Sequence, residues 1–114
     1  MKKFLILYYS PISAEERIKQ ADMDKMKASM AEWMEWKNRH GDALVDFGSP
    51  VKPSKKLDKG VIEDDQGWTT GYSLIQAENL DQAVEIMKDH PNFKNSDGPG
   101  IEILEFVSMP GMPE

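Results

Sequence analysis

The sequence predicts an α+β domain of the ferredoxin-like, split βαβ kind, with one antiparallel sheet and both main helices on one of its faces. Three observations carry that prediction. Apolar periodicity runs strand, helix, strand, and then strand, helix, strand again along the 114 residues. The strands carry apolar residues at both parities, and the chain has only enough amphipathic helix to shelter one side of a sheet. A bare, greasy second side requires a partner, and the simplest is a twofold homodimer through that open sheet face.

The length suits a single domain spanning 1–114. Phe4–Tyr9 reads FLILYY, with Phe4, Ile6 and Tyr8 on one face and Leu5, Leu7 and Tyr9 on the other. The two lysines before it imitate a signal peptide. The run is too short, however, and Tyr8, Tyr9 and Pro11 follow where a small-residue cleavage site would be, so a strand is expected. Ser13 and Glu16 have capping-box spacing and start a short helix reaching about Gln20.

The main helix is expected from Met23, with Asp22 as its N-cap and Gly41, in the left-handed conformation, as its stop. At 100° per residue Met23, Met26, Met30, Trp33 and Met34, with the stem of Lys37, form the stripe expected to pack on the sheet. Ser29, Trp33, Trp36 and His40 form a ridge on the flank of that stripe, where a pocket wall or a subunit contact would sit. The plainer alternative makes Trp33 core and Trp36 a lid upon it.

Ala43–Phe47 is the second strand, and Gly48, Ser49 and Pro50 are expected to turn the chain out of it. Residues 51–66 support only a hairpin or a loop with a short edge strand. Thr70–Ala77 alternates Tyr72, Leu74 and Gln76 against Ser73, Ile75 and Ala77, the smaller face suiting close approach of a helix. Asn79 caps the next helix with Gln82 three residues on, and Leu80, Ala83, Val84 and Met87 are its apolar stripe. His90, cation-capable in the last turn, and Pro91 close it. A polar loop over 92–100 leads to a last strand, Ile101–Val107, and to an irregular MPGMPE tail.

Composition excludes several functions. A net charge of −6 with no dense basic cluster argues against nucleic acid as a partner. Zero cysteines remove disulfides, thiol nucleophiles and thiolate metal sites. No run approaches the roughly 20 apolar residues of a membrane span, so a cytoplasmic protein is the default. Two histidines and scattered acids fit no metal-site spacing, and no phosphate loop or GxSxG is present, so no cofactor is expected.

The segments KKFLILYYSP, MAEWMEWKNRHGDALVDFGSPV, TTGYSLIQAENLDQAVEIMKDHP and IEILEFVSMP, in that order, resemble the YCII-related family in its DGPF-like branch. Residues 11–22 and 52–67 fit it less well. The resemblance implies a dimeric α/β barrel and a small-molecule enzyme or binding domain. It also implies a histidine on the first helix paired with an aspartate near the second strand. Asp46 looks like that aspartate; no histidine matches, since Ser29, Trp33 and Trp36 occupy the helix and His40 comes too late.

Apart from the family, Asp46 is unusual as a carboxylate in an apolar strand. It is either a functional group with a raised pKa or the acceptor for the Gly48 turn. Two functional readings follow. In one, an enzyme works in a pocket between the first long helix and the sheet, with Asp46 as acid or base and Ser29, Trp33, Trp36, Tyr72 and His90 around the ligand. The other is a non-catalytic dimeric module that binds a small ligand or serves as a structural partner. His90 is the more natural helix cap than base.

Overall fold

The computed structural model describes residues 1–11, 14–20, 22–65, 67–94 and 100–111. In chain order the elements are β1 (Lys2–Tyr9), α1 (Ala14–Gln20), α2 (Met23–Arg39), β2 (Leu44–Pro50), β3 (Lys55–Asp58), β4 (Val61–Asp64), β5 (Thr69–Ala77), α3 (Leu80–Lys88), α4 (Pro91–Lys94) and β6 (Gly100–Glu105). Four strands form one antiparallel sheet in the order β2-β5-β1-β6. That order and hand of pairing make it the split βαβ arrangement. The capping box at Ser13 lies outside the described residues.

Strand pairing sorts the side chains. Phe4 lies opposite Ile75 and Ile6 opposite Ser73, and these four are buried under the helices. Leu5 lies opposite Leu74 and Leu104, and Leu7 opposite Tyr72, on the uncovered side. The core is Phe4, Ile6, Tyr8, Ile75 and Ala77 from the sheet, with Trp36 from α2 and Ala83 and Met87 from α3. Each large side chain among these stabilises the fold by roughly 1.5–3 kcal/mol.

Helix α2 starts where the sequence places it, the Asp22 carboxylate accepting the Lys25 N–H at 2.7 Å. His40 closes it, its N–H reaching the Trp36 carbonyl at 3.1 Å. Gly41 does not take the left-handed conformation; it opens a short 3-10 turn, Gly41–Ala43. The methionine stripe does not pack on the sheet. Met23, Met26, Met30 and Met34 are all exposed, and every residue from Met23 to Glu32 lies in solvent. The helix overhangs its own sheet, so only its last turns, at Trp33 and Trp36, have anything to pack on.

Other boundaries also move. The chain does not turn at Gly48: β2 runs on to Pro50 with irregular pairing on either side of Asp46. Gly48 makes this possible with φ +88, and a Cβ there would stand 1.7 Å from the Tyr72 carbonyl oxygen, so β2 meets β5 at a point no side chain could share. Strand β6 ends at Glu105, two residues early, with one further bond from the Phe106 N–H to the Lys3 carbonyl at 3.0 Å. Leu80 is half exposed, so the buried stripe of α3 is Ala83 and Met87. Pro91, expected to close the preceding helix, opens α4, which runs into the expected loop; it stands at the first-turn position where its missing N–H costs nothing.

Candidate functional site: an aromatic nest beneath α2

The sequence-predicted site residues divide between two places. Trp33 and Trp36 come together around His90, with Tyr8 stacked on the same imidazole. Asp46 and Tyr72 lie elsewhere, and Ser29 stands exposed on the overhang.

His90 is the centre of the first group and is fully buried. It follows the C-cap of α3, Asp89, and turns inward where α3 gives way to α4. Its ring stacks on Tyr8 at 4.8 Å and meets the edges of Trp33 at 4.3 Å and Trp36 at 4.5 Å. It is therefore not a charged cap on the helix dipole. Burial pushes its pKa down to about 3, so the imidazole is neutral. The Tyr8 hydroxyl donates to Ser73 Oγ at 2.8 Å, and the Ser73 hydroxyl donates in turn to the Phe47 carbonyl at 2.7 Å. Burial raises the Tyr8 pKa to about 12, against a smaller opposing effect of the Ser73 bond.

The two tryptophans exchange their expected roles. Trp36 is fully buried core, its indole N–H donating to the Ile86 carbonyl at 3.2 Å. Trp33 is the half-exposed one, edge-on to Tyr8 at 5.2 Å and to Phe47 at 5.7 Å. The Lys37 ammonium lies 5.4 Å over the Phe47 ring. The rim of the nest is thus Trp33, Phe47 and Lys37: two aromatic walls and one cation, above a floor with no group that changes charge near neutral pH.

Asp46 is exposed and accepts the Gly48 N–H at 2.9 Å, which is the turn-acceptor role. Its register partner is Leu74, on the face of the sheet away from the helices, whereas Phe47 beside it packs under Trp33. Asp46 and the tryptophans therefore do not share a pocket, and Tyr72 lies with Leu7 on the open side.

Sequence reasoning missed Asp89. Its carboxylate accepts from Arg39 Nε at 2.7 Å and lies 3.1 Å from His40 Nε2, fastening the end of α2 to the end of α3. Arg39 also reaches Glu35 at 3.1 Å. A shallow surface depression lined by residues 38–43 adjoins this group. A histidine and an aspartate 49 residues apart, each at a helix end, give no spacing signal; the only hint is that both precede a helix stop.

No family model matches the chain, and no curated protein sequence does. Among solved structures it aligns with 5-chloro-2-hydroxyhydroquinone dehydrochlorinase from Burkholderia phenoliruptrix AC1100, in complex with 2,5-dihydroxybenzoquinone. The identity is 22%, the TM-score 0.47, and the alignment covers 88% of this chain and 90% of that one. Among the described residues no helix is long and apolar enough to cross a membrane.

Proposed function

We propose that this chain is a homodimeric module that binds a small, planar, anionic aromatic molecule on Trp33, and that it holds the molecule without transforming it. The observation that carries the reading is the half-exposed Trp33 set on Tyr8, Phe47 and His90, with the Lys37 ammonium over the neighbouring ring. A flat ring has an aromatic surface to stack on, an acidic substituent has Lys37, and the exposed Met30 and Met26 stand about one and two turns back on the same helix as adaptable apolar cover. Catalysis is disfavoured because His90 and Tyr8 both keep their protons fixed through the neutral range and Asp46 faces elsewhere.

The homodimer belongs to the same reading. Leu5, Leu7, Tyr72, Leu74 and Leu104 are part-exposed on the sheet face away from the core helices, beside Glu102 and Asp46, and a second copy laid on that face would cover them. Titrating aromatic carboxylates and their uncharged amides while following tryptophan emission tests the binding site. Trp33→Ala should weaken binding at least tenfold, and Lys37→Met should weaken binding of the anionic members only. Affinity unchanged in both variants would remove the site. The dimer is tested by sedimentation, where Leu74→Lys should give monomers.

The contact of His40 with Asp89 beside a surface depression favours a second reading, acid–base chemistry at the junction of α2 and α3. His40→Gln would separate the two, abolishing turnover of any substrate found while leaving binding at Trp33 intact.

A further inference from the structure

The hairpin of β3 and β4 is an arm that its own chain leaves unsupported. Its pairing continues that of β2 with β5: the Val51 N–H reaches the Thr70 carbonyl at 3.0 Å and the Asp65 N–H the Ser54 carbonyl at 3.2 Å. It then runs on as a separate two-stranded ribbon to a two-residue turn, Lys59-Gly60, with φ +50 and +79. Positive φ at both turn residues matches the twist of the flanking strands, so the ribbon is a formed hairpin rather than a slack loop. All eight of its strand residues are exposed. Leu57 pairs with Ile62, and these two side chains are 74% and 68% exposed. Lys55 and Asp64, on the same side of the ribbon, pair with each other, so this side presents an apolar pair and a self-neutralised ion pair.

An isolated two-stranded ribbon is at best marginally stable in water, and three strands or an apolar contact are needed to hold it. The chain exposes 8324 Å² at 13.0 kDa, roughly 2,000 Å² above the ~6,300 Å² of a compact monomer of that mass. A standard interface takes about 800 Å² from each partner, so the surplus, which the ribbon shares with the bare length of α2 from Met23 to Glu32, exceeds what a sheet face of standard size would cover.

We infer that the β3–β4 hairpin is an exchange arm, laying its Leu57–Ile62 side on a second copy of this chain in a twofold dimer. The inference rests on the homodimer proposed above and adds the ribbon to its interface. Symmetry then gives two arms, each stiffened by the neighbour it clasps.

Sedimentation and hydrogen exchange on the full chain test it. Leu57→Ser with Ile62→Ser removes only side chains that an unclasped arm would leave in water. The double variant should raise the dimer dissociation constant at least tenfold with an unchanged far-UV spectrum. Ribbon amides should exchange slowly in the native dimer and fast on dilution. Native-like dimerisation of the double variant, or ribbon amides that exchange as open chain within a dimer, would overturn the arm. If Leu74→Lys gives monomers while the double variant stays dimeric, the arm fails and the sheet-face dimer stands; a native chain that is monomeric at high micromolar concentration removes both.

Discussion

The two faces of β5 belong to the same nine residues and have opposite fates. Ser73, Ile75 and Ala77 are sealed beneath α2 and α3, while Tyr72, Leu74 and Gln76 on the alternate positions stay half exposed. The larger side chains are on the uncovered side, and the apolar Ile75 and Ala77 are beneath the helices. On this strand the helices approach where the side chains are smaller, and the bulkier face is left for another surface. Helix α2 repeats the contrast along its length, packed at Trp36 and bare from Met23 to Glu32.

The contrast breaks most visibly on that helix. Trp36→Ala should destabilise the fold by about 3–5 kcal/mol, since it empties the largest fully buried volume and strands the Ile86 carbonyl. Met30→Ala, less than two turns earlier, should change the stability of the monomer by less than ~0.5 kcal/mol. Urea unfolding at low protein concentration measures both. A large loss at Met30 would mean that the overhang is packed in solution.

His90 provides a pH test of the covered side. Its pKa is about 3 in the fold and 6.5 as a free side chain, so the unfolded chain binds the extra proton between those values. Stability from this group is complete above pH 6.5 and falls as pH drops toward 3, by up to roughly 4 kcal/mol. His90→Gln should flatten that part of the stability–pH curve. An unchanged slope would show that the imidazole reaches water.

Gly48 and Gly60 compare the same backbone strain with and without a neighbour. Both have positive φ, but a Cβ at Gly60 meets nothing within 4 Å, while one at Gly48 runs into the Tyr72 carbonyl. Gly60→Ala should cost about 1–2 kcal/mol, the conformational penalty alone. Gly48→Ala should cost more and loosen the β2–β5 pairing, which thermal unfolding and amide exchange on β5 would read. Equal losses would place β2 farther from β5.

Much of this arrangement was legible in the sequence. Period-two alternation gave β1 and β5 with their faces, and Asp22 and Asn79 gave both helix starts, the latter accepting the Gln82 N–H at 2.8 Å. Periodicity marks which residues of α2 share a side but not where that side meets the sheet. The four methionines outweighed Trp36 in the count, and the helix registers on Trp36 because the indole finds the Ile86 carbonyl as well as the core. The Gly48 bulge looked like a turn because glycine before Ser-Pro signals both. Of the site, Trp33 was legible as a border residue; Asp89 and the inward-turned His90 depend on how the chain leaves α3, which no local pattern encodes.

The smallest effects compare polar contacts on the two sides. Tyr8→Phe removes a 2.8 Å bond to a fully buried Ser73 hydroxyl, leaving one acceptor site in a place water does not reach. The expected loss is about 1 kcal/mol, softened because Ser73 keeps its bond to the Phe47 carbonyl. Asp46→Asn keeps an oxygen aimed at the Gly48 N–H on an exposed stretch, where water serves as a substitute, so the expected change is below ~0.5 kcal/mol. The ratio is the informative quantity, because the Tyr8 bond joins β1 to β5 on the covered side and the Asp46 bond lies within β2 on the open side. If Asp46→Asn costs as much as Tyr8→Phe, the carboxylate is shielded from water in the assembled protein, and the second copy covers β2 as well as the centre of the sheet.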